Sequence, residues 1–176
     1  NPPNRFVPLW YSRDPEWNDL EDPALETQFF EDTSRSIITY NDSPDVGFDA
    51  SINPYRGCEH GCSYCYARPT HEYLGFSAGL DFESRILVKA HAPELLRREL
   101  SSPRWKPQVL AMSGVTDAYQ PIERRLQLTR RCLQVLAEFR NPVVIITKNH
   151  LVRRDLDVLS ELAQHQAAQV FLSVTT

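Results

Sequence analysis

Three short apolar runs, set apart by segments of helical period, constrain this chain more than any other feature of its sequence. Residues 109–115 (VLAMSGV), 143–148 (VVIITK) and 170–174 (VFLSV) are too short for helices and mostly apolar, as expected of strands buried on both faces of a parallel sheet. Between the first two, Pro121 opens a predicted helix on which Ile122, Leu126, Leu133, Leu136 and Phe139 recur near the 3.6-residue period. Between the second and third, Val152, Leu156, Leu159 and Leu162 form another apolar stripe, and an earlier helix is expected from Pro93 with Leu95, Leu96 and Leu100 on its inner face. Parallel strands need long crossovers. The alternation therefore predicts an α/β fold assembled from βαβ units.

A chain of 176 residues has the size of one domain and can bury a real core. Its 41% hydrophobic and 24% charged residues exclude a disordered chain or a fibre, and a net charge of -4 argues against a dedicated nucleic-acid binder. No apolar run approaches the roughly 18 residues that span a bilayer, and the first ten residues lack the layout of a secretory signal, so a cytoplasmic, non-membrane protein is expected. The chain opens on Asn1 and stops directly after an apolar run, which suggests the N-terminal part of a longer protein. Residues 1–50 are rich in proline and acidic side chains, with aromatics such as Trp10, Trp17, Phe29 and Phe30 scattered without periodicity. They read as an irregular extension packed on a core domain at 51–176. No internal repeat stands out, which excludes solenoids.

Cys58, Cys62 and Cys65 form a Cys-x-x-x-Cys-x-x-Cys loop, a crowding that favours metal or redox chemistry over a disulfide framework in a chain without export signals. Gly57 and Gly61 let the loop turn tightly enough to aim three sulfurs at one point. An iron-sulfur cube normally takes four thiolates. Three without a neighbouring fourth would leave one iron open to another ligand.

With this loop the sequence resembles the radical S-adenosylmethionine superfamily, whose signature has the same spacing and often an aromatic residue before the third cysteine, here Tyr64. More narrowly, NPYRGCEHGCSYCY at 53–66, TDAYQPIE at 116–123, ITK at 146–148 and LSVTT at 172–176 are similar to the spore photoproduct lyase-like branch. RGCEHGC, ARPTHEYLG at 67–75 and GLDFE at 79–83 are shared with uncharacterised bacterial members of it. The likeness covers roughly residues 35–176. It implies a partial (βα)6 barrel of TIM type, truncated here after about four βα units, holding a [4Fe-4S] cluster on Cys58, Cys62 and Cys65. S-adenosyl-L-methionine would chelate the open iron and, on one-electron reduction, release a 5'-deoxyadenosyl radical that abstracts hydrogen from substrate. The resemblance further implies that Ser113, Lys148 and Ser173 bind the polar end of the cofactor, and a strand-end ammonium suits a carboxylate. Tyr64 and Tyr66 are expected against adenine or the cluster. A reductant such as flavodoxin or ferredoxin and a monomeric state are expected, while the substrate is left open among nucleic acid, peptide and small metabolite. The additional hydrogen-donor cysteine that spore photoproduct lyases carry towards the C-terminus is absent from this chain, so lesion repair is the weaker enzymatic alternative.

Plainer readings stand beside these. A structural zinc could be held by the three cysteines with His60 or His71, giving a binding module rather than an enzyme. A ferredoxin would need a fourth cysteine, and Cys132 is remote in sequence and reads as a small core residue. His71, His91, His150 and His165 read as surface or packing residues, and Arg97, Arg98, Arg124, Arg125, Arg130, Arg131, Arg153 and Arg154 as a solvated helical face. Asp117 and Glu123 follow a predicted strand end and are candidates either for substrate contact or, for Asp117, for capping the next helix.

Overall fold

The computed structural model describes residues 8–12 along the backbone, 26–42 and 47–174. Trp17, the Trp10 side chain, and Thr175 and Thr176 of the last motif lie outside the described residues. The fold is mixed α/β, with parallel and antiparallel pairing in two sheets.

The first sheet has the order β1-β2-β6-β5, from Pro8–Ser12 (β1), Thr27–Glu31 (β2), Tyr55–Arg56 (β5) and Arg85–Val88 (β6). β2 and β6 run parallel, while β1 and β5 pair antiparallel at its edges. The second sheet has the order β3-β4-β7-β8-β9, from Ile38–Tyr40 (β3), Ala50–Ile52 (β4), Leu110–Met112 (β7), Val143–Thr147 (β8) and Ala168–Leu172 (β9). There β4, β7, β8 and β9 are parallel neighbours in chain order, so their carboxyl ends open on one side. The first fifty residues, expected to be irregular, thus supply β1, β2 and β3. All three are short: β2 lies beside the distant β6, while β1 and β3 are edge strands on the next strands, β2 and β4, and such pairing is not registered by local periodicity.

A four-residue helix, α1 (Asp81–Ser84), leads into β6, and α2 (Ala92–Leu100) begins with proline in its first turn. Leu96 and Leu100 of α2, Leu133 and Leu136 of α4 (Leu128–Phe139) and Leu159 and Leu162 of α5 (Leu156–Gln164) pack with Ile52, Leu110, Met112 and Ile145 of the second sheet in one core. Phe29, Tyr55, Ile86, Val88, Ile122 and Leu128 make a smaller core beside the first sheet. The single helix expected from Pro121 is two: α3 (Glu123–Leu126) ends at Gln127, whose left-handed φ of 52° separates it from α4. Glu123 causes the break, since its buried carboxylate accepts from the Thr129 N–H at 3.0 Å and the Arg130 N–H at 3.3 Å, serving orphan amides of the first turn of α4. α5 is likewise preceded by a 3₁₀ turn, His150–Asp155.

β9 departs from the expectation of a strand buried on both faces. Phe171 and Leu172 are exposed, because among the described residues β9 pairs only with β8. No helix among the described residues is long and apolar enough to cross a membrane.

Candidate functional site

Because β4, β7, β8 and β9 point the same way, the loops after them meet at one end of the sheet. The segment after β4 and β5 carries the three cysteines, the turn after β7 carries Ser113 to Asp117, and Lys148 and Ser173 follow β8 and β9 directly. A cavity of about 180 Å³ opens there, lined by Cys58, Cys62, Cys65, Tyr64, Tyr66, Ser113, Lys148 and Ser173. All eight residues expected on sequence grounds to hold the cluster or its cofactor therefore border one space. Carboxyl ends of parallel strands are where α/β folds place their ligand sites.

The cysteine loop is shaped by residues that the sequence reading did not single out. Arg68 donates to the Cys62 carbonyl at 3.0 Å, the Gly61 carbonyl at 2.9 Å and the Gly79 carbonyl at 2.8 Å, and pairs with Glu83 at 2.7 Å. Gln120 donates to the Gly57 carbonyl at 3.2 Å and accepts from the Glu59 N–H at 3.0 Å. The signal for Arg68 lay in ARPTHEYLG, a cation three residues past the last cysteine, whereas Arg56, just before the loop, is drawn off to Asp32 at 2.8 Å. Gly57 has φ 80°, and a Cβ there would meet both the Phe82 carbonyl and the His71 ring at 2.9 Å, so the turn admits only glycine.

Within the loop the thiols differ. Cys58 is buried and Cys62 and Cys65 are half-buried; burial pushes the Cys58 thiol up to about 12, against the thiolate that a ligand must become. Lys148 Nζ lies 2.9 Å from Cys62 Sγ and 3.2 Å from Tyr64 Oη, and the Cys62 sulfur chiefly holds this ammonium above its ordinary value. Tyr64 and Tyr66 are exposed at the mouth, and the Tyr66 hydroxyl donates to the Gly114 carbonyl. Ser113 has a left-handed φ of 98° and donates to the Thr116 carbonyl at 2.8 Å, a strained backbone of the kind concentrated at ligand sites. Among the described residues, no three His, Cys, Asp or Glu side chains are grouped so that they could hold a metal ion as they stand.

Asp117 lines the same cavity. It accepts from the Tyr119 N–H at 2.9 Å, the Thr147 hydroxyl at 2.7 Å and the Lys148 N–H at 2.9 Å, with His60 Nε2 at 3.5 Å. Burial would raise its carboxyl, but the contacts from His60, Thr147 and Lys148 outweigh that and hold it below its ordinary value. Asp117 is thereby a brace joining the cysteine loop, the β7 turn and the end of β8.

Glu123, a candidate for substrate contact on sequence grounds, is fully buried away from this cavity. Besides the amides of α4 it accepts from Tyr55 Oη at 2.5 Å and pairs with Arg154 at 2.7 Å, and burial beside its carboxylate holds the Tyr55 phenol well above its ordinary value. Arg154 also pairs with buried Asp155 at 2.7 Å, as does Arg130 at 2.9 Å, so these two arginines serve the interior rather than a solvated face. Arg97 and Arg131 make exposed pairs with Glu138 and Glu94. His71 is also no candidate ligand. It is buried, bonded to the Arg85 carbonyl at 2.9 Å, packed on Phe76 and Phe82, and outside the cavity lining. His60 does line the cavity. Cys132 is wholly buried on α4.

The chain is similar to three kinds of curated relative, each described as an uncharacterized protein. One from Mycobacterium tuberculosis (strain ATCC 25618 / H37Rv) is 42% identical over 127 residues, which cover 72% of this chain and 37% of the relative. One from Methanocaldococcus jannaschii is 34% identical over 112 residues, 64% of this chain and 40% of the relative. One from the Acidianus two-tailed virus is 27% identical over 146 residues, 78% of this chain and 48% of the relative. No family model matches the chain, and no solved structure matches it. The chain spans less than half the length of the curated relatives it matches.

Proposed function

We propose that this chain is part of a radical S-adenosylmethionine enzyme of the spore photoproduct lyase-like branch, with β4, β7, β8 and β9 as the opening strands of a partial (βα)6 barrel. The observation that carries the reading is the sharing of one strand-end cavity by Cys58, Cys62, Cys65, Tyr64, Tyr66, Ser113, Lys148 and Ser173. In sequence these residues are spread over more than a hundred positions, and neither a zinc knuckle nor a ferredoxin loop needs the three strand ends.

The donor set fits the implied group: three thiols with no disulfide among them, a protonated amine, and two hydroxyls at strand ends. Cys58, Cys62 and Cys65 would hold a [4Fe-4S] cluster, and loading requires residues 58–65 to draw their sulfurs together. With S-adenosyl-L-methionine bound, that cluster supplies one-electron reductive cleavage of the sulfonium and so a hydrogen-abstracting 5'-deoxyadenosyl radical. Lys148 presents its ammonium to the carboxylate of the methionine moiety and releases Cys62 in doing so. Ser113 and Ser173 offer hydroxyls to the same polar end, and Tyr64 and Tyr66 flank the mouth, where aromatic faces exclude water and accept adenine. Asp117 keeps Lys148 and His60 in place. The substrate belongs to the whole protein, with nucleic acid, peptide and small metabolite as the classes to screen, and a flavodoxin or ferredoxin would supply the electron.

The test is anaerobic reconstitution with iron and sulfide, followed by reduction and electron paramagnetic resonance with and without S-adenosylmethionine. A [4Fe-4S] signal that shifts on adding the cofactor is expected. Tightly bound zinc with no cluster would replace the reading by a zinc-binding module, for which His60, lining the cavity with a buried Nε2 that lacks a hydrogen-bond partner, is the fourth ligand to test. Cleavage of a thymine photoproduct in DNA by the full-length protein would narrow the function to repair.

A further inference from the structure

Lys89 and Asp32 are the residues that follow β6 and β2, and because these strands are parallel neighbours their carboxyl ends open side by side. They border a cavity of about 560 Å³, closed on its other side by the start of α2. None of its lining residues is shared with the cysteine cavity.

Lys89 is the unusual member. Only 5% of it is exposed, and among the described residues its ammonium makes no hydrogen bond or ion pair. A buried charge without a hydrogen-bonded partner is unfavourable, and burial, helped by nearby Arg56, pulls this amine below its ordinary value against the attraction of Asp32 and Glu99. The acids on the wall are largely engaged elsewhere. Asp32 is held by Arg56 at 2.8 Å and by the Ser34 hydroxyl at 2.5 Å, and Glu94 by Arg131 at 2.6 Å. Arg35 and Arg98 stand at the exposed rim, where Arg98 donates to the Arg35 carbonyl. His91 precedes the positive end of the nine-residue α2. Lys89, Arg35 and Arg98 thus face the space with Glu31 as the one acid not already paired, an excess that suits a dianion better than a single carboxylate.

We propose that this cavity is a second ligand site, one that takes a phosphate-bearing small molecule, with Lys89 as its buried anchor and Arg35 and Arg98 gripping the anion from the rim. The size of the cavity accommodates a phosphorylated sugar or similar metabolite. Its place at the ends of two adjacent parallel strands follows the rule that locates ligands in open α/β sheets.

Titration calorimetry of the intact chain with inorganic phosphate, with ribose 5-phosphate and with acetate tests the proposal. Phosphate or its ester should bind, and Lys89→Met should weaken that binding about tenfold or more, the usual consequence of losing a charge-assisted contact. Arg98→Gln, a change on the surface that leaves the core intact, should weaken it severalfold. Tighter binding of the ester than of the free ion would identify a phosphorylated metabolite, and equal binding would identify the ion itself; both support the site. No binding at about 10 mM, binding unaffected by both substitutions, or acetate bound as tightly as phosphate would overturn it.

Discussion

Lys148 Nζ stands 2.9 Å from the sulfur of Cys62, a residue 86 positions earlier in the chain. The contact joins the end of β8 to the cysteine loop and holds a cation at the mouth of the cavity, where the cofactor's carboxylate would arrive. Replacing Lys148 with Met should therefore lower affinity for S-adenosylmethionine about tenfold, the worth of one charge-assisted hydrogen bond, while leaving the iron content of the reconstituted protein unchanged. Equilibrium binding beside an iron assay checks both halves.

The four cysteines should divide three to one. Alanine at Cys58, Cys62 or Cys65 should abolish the cluster signal, whereas Cys132→Ser should retain it. The latter variant instead puts a hydroxyl at a wholly buried position of the hydrophobic core, at a cost of roughly 1–3 kcal/mol in unfolding free energy. Iron and sulfide analysis and urea denaturation separate the two effects.

Gly57→Ala should fail at the cysteine loop before it fails elsewhere. Its φ of 80° and the 2.9 Å approaches to the Phe82 carbonyl and the His71 ring leave no room for a methyl group, and left-handed backbone costs a non-glycine residue about 1–2 kcal/mol before the clash is added. A lowered melting temperature with impaired cluster loading is the expected result, whereas Gly75→Ala, where nothing lies within 4 Å, should show strain alone.

Glu123→Ala should destabilise the fold by about 3 kcal/mol or more, since it strips a buried partner from Arg154 and the cap from α4. Chemical denaturation measures it. The cavity lining is untouched, so cofactor affinity of the folded fraction should be preserved.

Lys89→Met should raise stability at neutral pH. The folded amine titrates below its ordinary 10.5, so as pH rises through the folded value the unfolded chain binds more protons than the native one, and wild-type stability rises with it. The disadvantage of the buried ammonium is fully present below that window and is relieved as pH approaches 10.5. Melting temperatures of the two proteins should therefore differ most near neutrality and converge in alkali.

Much of this architecture was legible in order along the chain. The runs around residues 110, 145 and 170 became β7, β8 and β9, and the apolar stripes became the inner faces of α2, α4 and α5, except that Leu156 at the start of α5 and Phe139 at the end of α4 are exposed, because burial imposes a period that local sequence must carry and helix ends escape it. The cysteine spacing, its glycines and the polar residues after each strand were legible for the same reason, since each is a local pattern. What only the tertiary structure decided depends on partners far away. β2 and β4 are placed by the distant β6 and β7 and in turn hold the edge strands β1 and β3, and the helix from Pro121 breaks at Gln127 because Glu123 turns inward to Tyr55 and Arg154. Arg68 finds its role only once the loop folds back over it, and Lys89 became a buried cation only when β2 came to lie beside β6. A side chain's type is written in the sequence, but its burial and its partners are set by chain segments it cannot sense locally, and those decide whether a charge serves structure or binds a ligand.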